Sequence, residues 1–178
     1  SGGSIMGDKT RMEKLAVHEQ AFIRPSPAGR TLGGVSRKTR ESMLVCEAGG
    51  FDVIIVETVG VGQSEYAVAS MVDFFLLLML AGAGDELQGI KRGLLEMADA
   101  IAINKADGNN LDAVKKAQKA FENAVHFMTP AHPAWTPPIL TCSALEHSGI
   151  ADIWETVLKH RNILISRGEL DLKRRGQA

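Results

Sequence analysis

Cysteine is scarce in this sequence, with Cys46 and Cys142 the only two among 178 residues. Neither falls in a Cys-x-x-Cys or Cys/His spacing, so a disulfide framework and a zinc site are both excluded, and each reads as a small buried side chain of a reducing compartment. An excess of charge of one sign is missing as well. Twenty Lys and Arg nearly balance 21 Asp and Glu, and the isoelectric point is near 6.5. That balance supplies no field to attract nucleic acid or an acidic membrane, which argues against both as partners. The longest apolar run, Phe74 to Ala83, falls short of the roughly 20 residues that a spanning helix needs. The amino terminus carries no signal-peptide or transit-peptide pattern, and no internal repeat or low-complexity segment is present. These absences predict a soluble protein, cytosolic or, in a eukaryote, a processed organellar form.

What is present suffices for one good core: 45% of the residues are hydrophobic, and the length requires no second domain. The opening Ser1-Gly-Gly-Ser-Ile-Met-Gly7 lacks an initiating Met and enters a glycine-rich loop at once, which predicts a chain that starts in mid-domain, an expression-tag scar being the alternative. A short helix is expected after Asp8, with Met12, Leu15 and Ala16 at helical spacing. Ala21 to Arg24 reads as a strand stopped by Pro25, and Val35 to Ala48 as an amphipathic helix closed by Gly49-Gly50. Val53 to Val56 reads as a fully buried strand, Glu65 to Met71 as a short helix, and Phe74 to Leu80 as a second strand. Leu94 to Ala98 is expected helical, Ala100 to Ile103 a third strand, and Leu111 to about His126 a long helix with Val114, Ala117, Phe121 and Val125 on one face. Met128 to Pro138, with four of the six prolines, predicts a surface loop. Ile139 to Thr141 is a fourth strand, and a last helix runs to about Ser166 before a charged tail. Strands alternating with helices predict an α/β fold with a mostly parallel sheet flanked by helices and its site along one edge.

The turns after the strands carry the chemistry. Val53 to Val56 is followed by Glu57 and then Gly60-Val-Gly62, so an acid and close-approaching backbone sit where open parallel sheets bind ligands. Asn104-Lys105-x-Asp107 follows the third strand in the pattern by which guanine is read. An Asp carboxylate accepts two N–H groups of the base while the Lys stem lies along its plane, and only guanine presents that paired donor edge. Ser143-Ala144 lies 39 residues after Asn104 at the end of the next strand, where a backbone N–H can meet the guanine oxygen.

Four blocks in order, Gly2-Gly-Ser-Ile-Met-Gly-Asp8-Lys-Thr-Arg-Met, Glu57-Thr-Val-Gly-Val-Gly-Gln-Ser-Glu65, Gly82-Ala-Gly-Asp-Glu-Leu-Gln-Gly-Ile-Lys91 and Asn104-Lys-Ala-Asp107, resemble the MeaB/ArgK/MMAA family of P-loop GTPases over nearly the whole chain. The resemblance implies a G-domain fold and a GTP-hydrolysing chaperone of adenosylcobalamin-dependent methylmalonyl-CoA mutase that gates cofactor loading and protects the mutase, with GTP/GDP and Mg²⁺ as ligands. It implies that Asp8 lies near Mg²⁺ and the γ-phosphate. Glu57 would hold the metal or its water, and Gly60 would complete the second switch. Asp85, Gln88 and Lys91 would belong to a third mobile loop, Gln88 and Lys91 on its catalytic side. Gln63 would lie in a switch loop but three residues beyond Gly60, too far for the usual water-positioning role. Asn104, Lys105, Asp107, Ser143, Ala144 and Leu145 would bind the nucleotide. A homodimer in the full-length protein and a bacterial cytoplasmic or mitochondrial matrix location complete the implication.

One departure from that family pattern is plain: no Gly-x-x-x-x-Gly-Lys-[Ser/Thr] occurs in the 178 residues. The resemblance therefore implies a G domain truncated at its N-terminal strand over residues 1–167, the start of a carboxy-terminal extension at 168–178, and weak or absent GTP binding until the phosphate loop is supplied. Two other readings stay open, a phosphotransferase linked to arginine/ornithine transport and a non-catalytic interaction fragment.

Overall fold

In the computed structural model, residues 12–25, 32–58, 64–81, 92–128 and 132–177 are described. They divide into two compact units that meet in sequence at Ser64 and Glu65. The first holds α1 (Glu13–Ala16) and α2 (Leu32–Ala48). Gly50 ends α2 with φ 87°, where its N–H reaches Glu47 O and the Phe51 N–H reaches Cys46 O, the paired bonds of a Schellman cap. Phe22 and Phe51 then meet with ring centroids 6.5 Å apart.

Two expected strands do not form among the described residues. Residues 21–25 and 51–58 belong to no ladder, and within the latter stretch Val53 is 50% and Ile55 88% exposed. Val53 to Val56 is therefore neither paired nor fully buried. A β-branched, apolar run favours extended backbone, but it becomes a buried strand only when a neighbour offers free N–H and C=O groups and two layers cover its faces.

The second unit carries the sheet. Its elements are α3 (Ser64–Ala69), β1 (Leu76–Leu80), α4 (Arg92–Met97), β2 (Ala100–Asn104), α5 (Leu111–His126), β3 (Ile139–Thr141), α6 (Ile150–Ser166) and α7 (Leu170–Gly176). The strands form a parallel sheet of order β1-β2-β3, with Leu76 beside Ala100 and Ile101 beside Ile139. Central β2 is buried from Ala100 to Ile103, which its uninterrupted apolar sequence requires. Alternation sends Ile101 and Ile103 to a core with Phe75, Leu95, Val114, Ala117 and Phe121. Val114, Ala117 and Phe121 recur at three and four residues along α5, so one stripe of that helix covers the sheet.

The amino ends of β1 and β2 are fastened by polar groups. Asp99 is buried, and its carboxylate accepts the Phe75 N–H at 2.8 Å. The Trp135 indole N–H donates to the Asp99 carbonyl at 2.7 Å, so a residue of the proline-rich segment, expected as a surface loop, is buried. His160 lies 3.5 Å from Asp99 and meets the Phe74 and Trp135 rings edge-on. Burial lowers its pKa, against the opposing pull of Asp99. The charged tail is helical. After Gly168 caps α6 with φ 68°, Lys173 of α7 donates to Asp73 O at 2.7 Å, Arg174 pairs with the Asp73 carboxylate, and Gln177 donates to Val72 O at 2.8 Å. Among the described residues, no helix is long and apolar enough to cross a membrane.

Candidate functional site

The carboxyl ends of β2 and β3 lie side by side because the strands are parallel and adjacent, and the turns that leave them are stitched together. The Cys142 N–H donates to Ile103 O and the Ala106 N–H to Cys142 O, both at 2.9 Å. Residues 36 and 39 positions apart in sequence thereby become neighbours. Asn104 is the knot: its Oδ1 accepts the Lys105 N–H at 2.8 Å, the Ala144 N–H at 3.3 Å and the Cys142 thiol at 3.7 Å. The Ser143 hydroxyl, fully buried, donates to Asp107 Oδ2 and accepts the Glu146 N–H at 3.1 Å. A carboxylate held on one oxygen by a buried hydroxyl has a fixed direction and keeps acceptor capacity for a ligand.

Backbone conformation finishes the turns. Lys105 has φ 60°, unusual for a side chain with a Cβ, and is exposed. Ser143 and Ser148 exchange backbone hydrogen bonds at 3.0 and 3.1 Å, closing a loop in which Ala144 and Leu145 are exposed, Leu145 by 81%. Gly149 begins α6 with φ 71°, and a Cβ there would lie 2.2 Å from Thr141 O, so the loop returns against β3 only because this residue is glycine.

Asn104, Lys105, Asp107, Ser143, Ala144 and Leu145 are thus brought together at one edge of the sheet. Glu57 is exposed and belongs to the other unit; a carboxylate is a hard oxygen donor of the kind that suits Mg²⁺. Asp8, Gly60, Gln63, Asp85, Gln88 and Lys91 lie outside the described residues. Three residues outside the expected site set also shape the turns, namely Cys142, Gly149 and Asn110. For Gly149 a signal was available, since a glycine directly ahead of a helix and behind a strand-end loop marks a tight return. A cavity of about 320 Å³ lies behind the turns, lined by Ala106, Val114, Lys115, Cys142, Gly149 and Asp152 among others; Lys105, Asp107 and Ala144 do not line it, so it is not where a base would meet them. Burial raises the pKa of the Cys142 thiol, which keeps it a neutral donor rather than a nucleophile.

A family profile described as "Methylmalonyl Co-A mutase-associated GTPase MeaB" matches residues 1–178. The chain belongs to the MeaB family of GTPases. Relatives include a putative GTPase of Caulobacter vibrioides, 58% identical over 99% of this chain and 54% of its own length. The GTPase ArgK of Escherichia coli is 53% identical over the whole chain and 54% of its own length. The mouse mitochondrial methylmalonic aciduria type A homolog is 47% identical over 99% of the chain and 43% of its own length. A crystal structure described as an LAO/AO transport system kinase superposes with a TM-score of 0.83 at 48% identity, covering 93% of this chain and 51% of the other. That agreement gives the chain the α/β fold of a P-loop NTPase. The chain spans about half the length of these relatives.

Proposed function

We propose that this chain is the base-reading and switch-bearing portion of a GTP-hydrolysing chaperone of adenosylcobalamin-dependent methylmalonyl-CoA mutase, and that residues 1–167 are part of its G domain. The carrying observation is the joined pair of turns: Asp107 fixed by Ser143, and Lys105 and Ala144 both tied to Asn104. In this reading Asp107 accepts the paired N–H groups of guanine and the Lys105 stem lies along the ring. The Ala144 N–H, whose present bond is 3.3 Å long, turns to the guanine oxygen, and exposed Leu145 covers the base. An adenine in that place would leave the carboxylate unpaired, which is the source of discrimination.

The remaining roles follow from the same reading. Asp8 and Glu57 would hold Mg²⁺, which neutralises phosphate charge when bound. Gly60 would report the γ-phosphate, Gln63 would lie in a switch loop, and the loop of Asp85, Gln88 and Lys91 would pass nucleotide state to the mutase and complete the catalytic arrangement. The full-length protein would act as a homodimer, in the bacterial cytoplasm or the mitochondrial matrix. The name of the structural neighbour favours a second reading, phosphoryl transfer to an acceptor other than water. Product analysis with radiolabelled GTP separates the two, since a labelled protein or amino acid would support the kinase.

The test of base reading uses the chain preceded by a relative's phosphate loop. Calorimetry should show GDP bound far more tightly than ADP, and Asp107→Asn should exchange the preference for GDP for one for xanthosine diphosphate. Equal affinity for GDP and ADP would overturn the assignment. Stimulation of GTP hydrolysis by the mutase tests the chaperone role, and a rate indifferent to mutase would refute it.

A further inference from the structure

Lys105 is held from both sides by side-chain amides. Its N–H donates to Asn104 Oδ1 at 2.8 Å, and its C=O accepts from Asn110 Nδ2 at 2.9 Å. A lysine at φ 60° is in a left-handed conformation that side chains with a Cβ rarely adopt, and such a conformation persists only where the surroundings impose it. Asn104 belongs to the expected guanine motif. Asn110 does not.

The position of Asn110 makes its bond informative. It is the last residue of a 3-10 turn, Gly108–Asn110, that runs directly into α5, and its own φ of −90° and ψ of −7° are helical. Its side chain makes no bond to the first turn of α5. Its own N–H donates to Asp107 O at 3.1 Å, while its side chain reaches back five residues to Lys105. That side-chain amide secures Lys105, the non-glycine residue of the turn at positive φ.

We propose that Asn110 is a positioning residue for guanine recognition: by holding the Lys105 carbonyl it keeps the lysine in its left-handed conformation, with the stem laid along the base plane. The proposal rests on the base-reading function given above. Asn110 touches no nucleotide in this scheme; it acts through Lys105 and, by its backbone bond, through Asp107.

Asn110→Asp removes the donated bond with almost no change of shape. An aspartate is nearly isosteric and its charge suits the amino-terminal end of the helix, but its ionised carboxylate cannot donate to the Lys105 carbonyl. If Asn110 positions Lys105, the N110D chain keeps its thermal midpoint, NMR couplings and shifts of the 178-residue chain show Lys105 leaving positive φ, and GDP binding in the protein carrying a phosphate loop weakens about tenfold. Adding Lys105→Gly to N110D restores the positive φ, because glycine takes it without a bond to hold it. Lys105 staying at positive φ in N110D, or GDP affinity unchanged, overturns the proposal. Wild-type protein that binds ADP as tightly as GDP would instead sink the base-reading function, while the conformational result would still report whether Asn110 sets Lys105.

Discussion

Replacing Gly149 by alanine tests whether the loop after β3 is built on a backbone contact that only glycine permits. Two costs add at this position. The first is conformational: φ 71° is left-handed, and holding alanine there costs about 1–2 kcal/mol. The second is steric. A Cβ at Gly149 would lie 2.2 Å from Thr141 O and 3.1 Å from Cys142 Cα, so backbone of the last strand residue and its successor must move. Forced repacking of that kind adds about 1–3 kcal/mol, for a total of about 2–5 kcal/mol. Gly108→Ala supplies the control, because φ there is 51° and no atom lies within 4 Å of the added Cβ, leaving the conformational cost alone. Urea denaturation followed by tryptophan fluorescence reads the sheet-bearing unit directly, since both tryptophans, Trp135 and Trp154, belong to it. The difference between the variants isolates the contact with β3. Equal destabilisation by G149A and G108A, within about 0.5 kcal/mol, would refute the steric argument.

Two further outcomes concern the polar cluster under the sheet. Trp135→Phe removes the donor to the Asp99 carbonyl and leaves space behind it, and should cost about 1–3 kcal/mol by urea denaturation followed by circular dichroism; a change under about 0.5 kcal/mol would show that the indole bond contributes nothing. His160 gives stability a pH dependence. Burial lowers its folded pKa below the ordinary 6.5, so the unfolded chain takes the proton first and stability, complete above 6.5, is lost as pH falls from there through the folded value. Asp99, Lys173, His132 and Asp73 face it. The urea midpoint of the wild type should therefore drop between pH 7.5 and 5.5 more than that of His160→Gln, and parallel profiles would count against the assignment.

Periodicity and turn chemistry made much of the second unit legible. The stripe of Val114, Ala117 and Phe121 gives α5 its bounds, the apolar run of β2 demands burial on both faces, and the Asn-Lys-x-Asp and Ser-Ala turns follow strands that local sequence marks clearly. Val53 to Val56 reads the same way and forms no strand among the described residues, because a ladder needs a partner and propensity does not supply one. Trp135 sits in a segment rich in proline, where turn chemistry points to the surface; its burial depends on the Asp99 carbonyl, 36 residues earlier. The charged tail looks solvated by itself and becomes helical against Asp73 and Val72, about a hundred residues away.

The sequence by itself determined which residue types stand in the turns after β2 and β3: the Asn-Lys-x-Asp turn and the Ser-Ala loop. Only the tertiary structure decided how they are held. Parallel pairing of β2 with β3 carries Ser143 to Asp107 and Cys142 to Asn104, and the Asn110 side chain reaches back five residues to fasten Lys105. Hydrogen bonds between residues 36 to 40 positions apart leave no local pattern, because each partner satisfies its neighbour in space and its own sequence surroundings would allow several other choices.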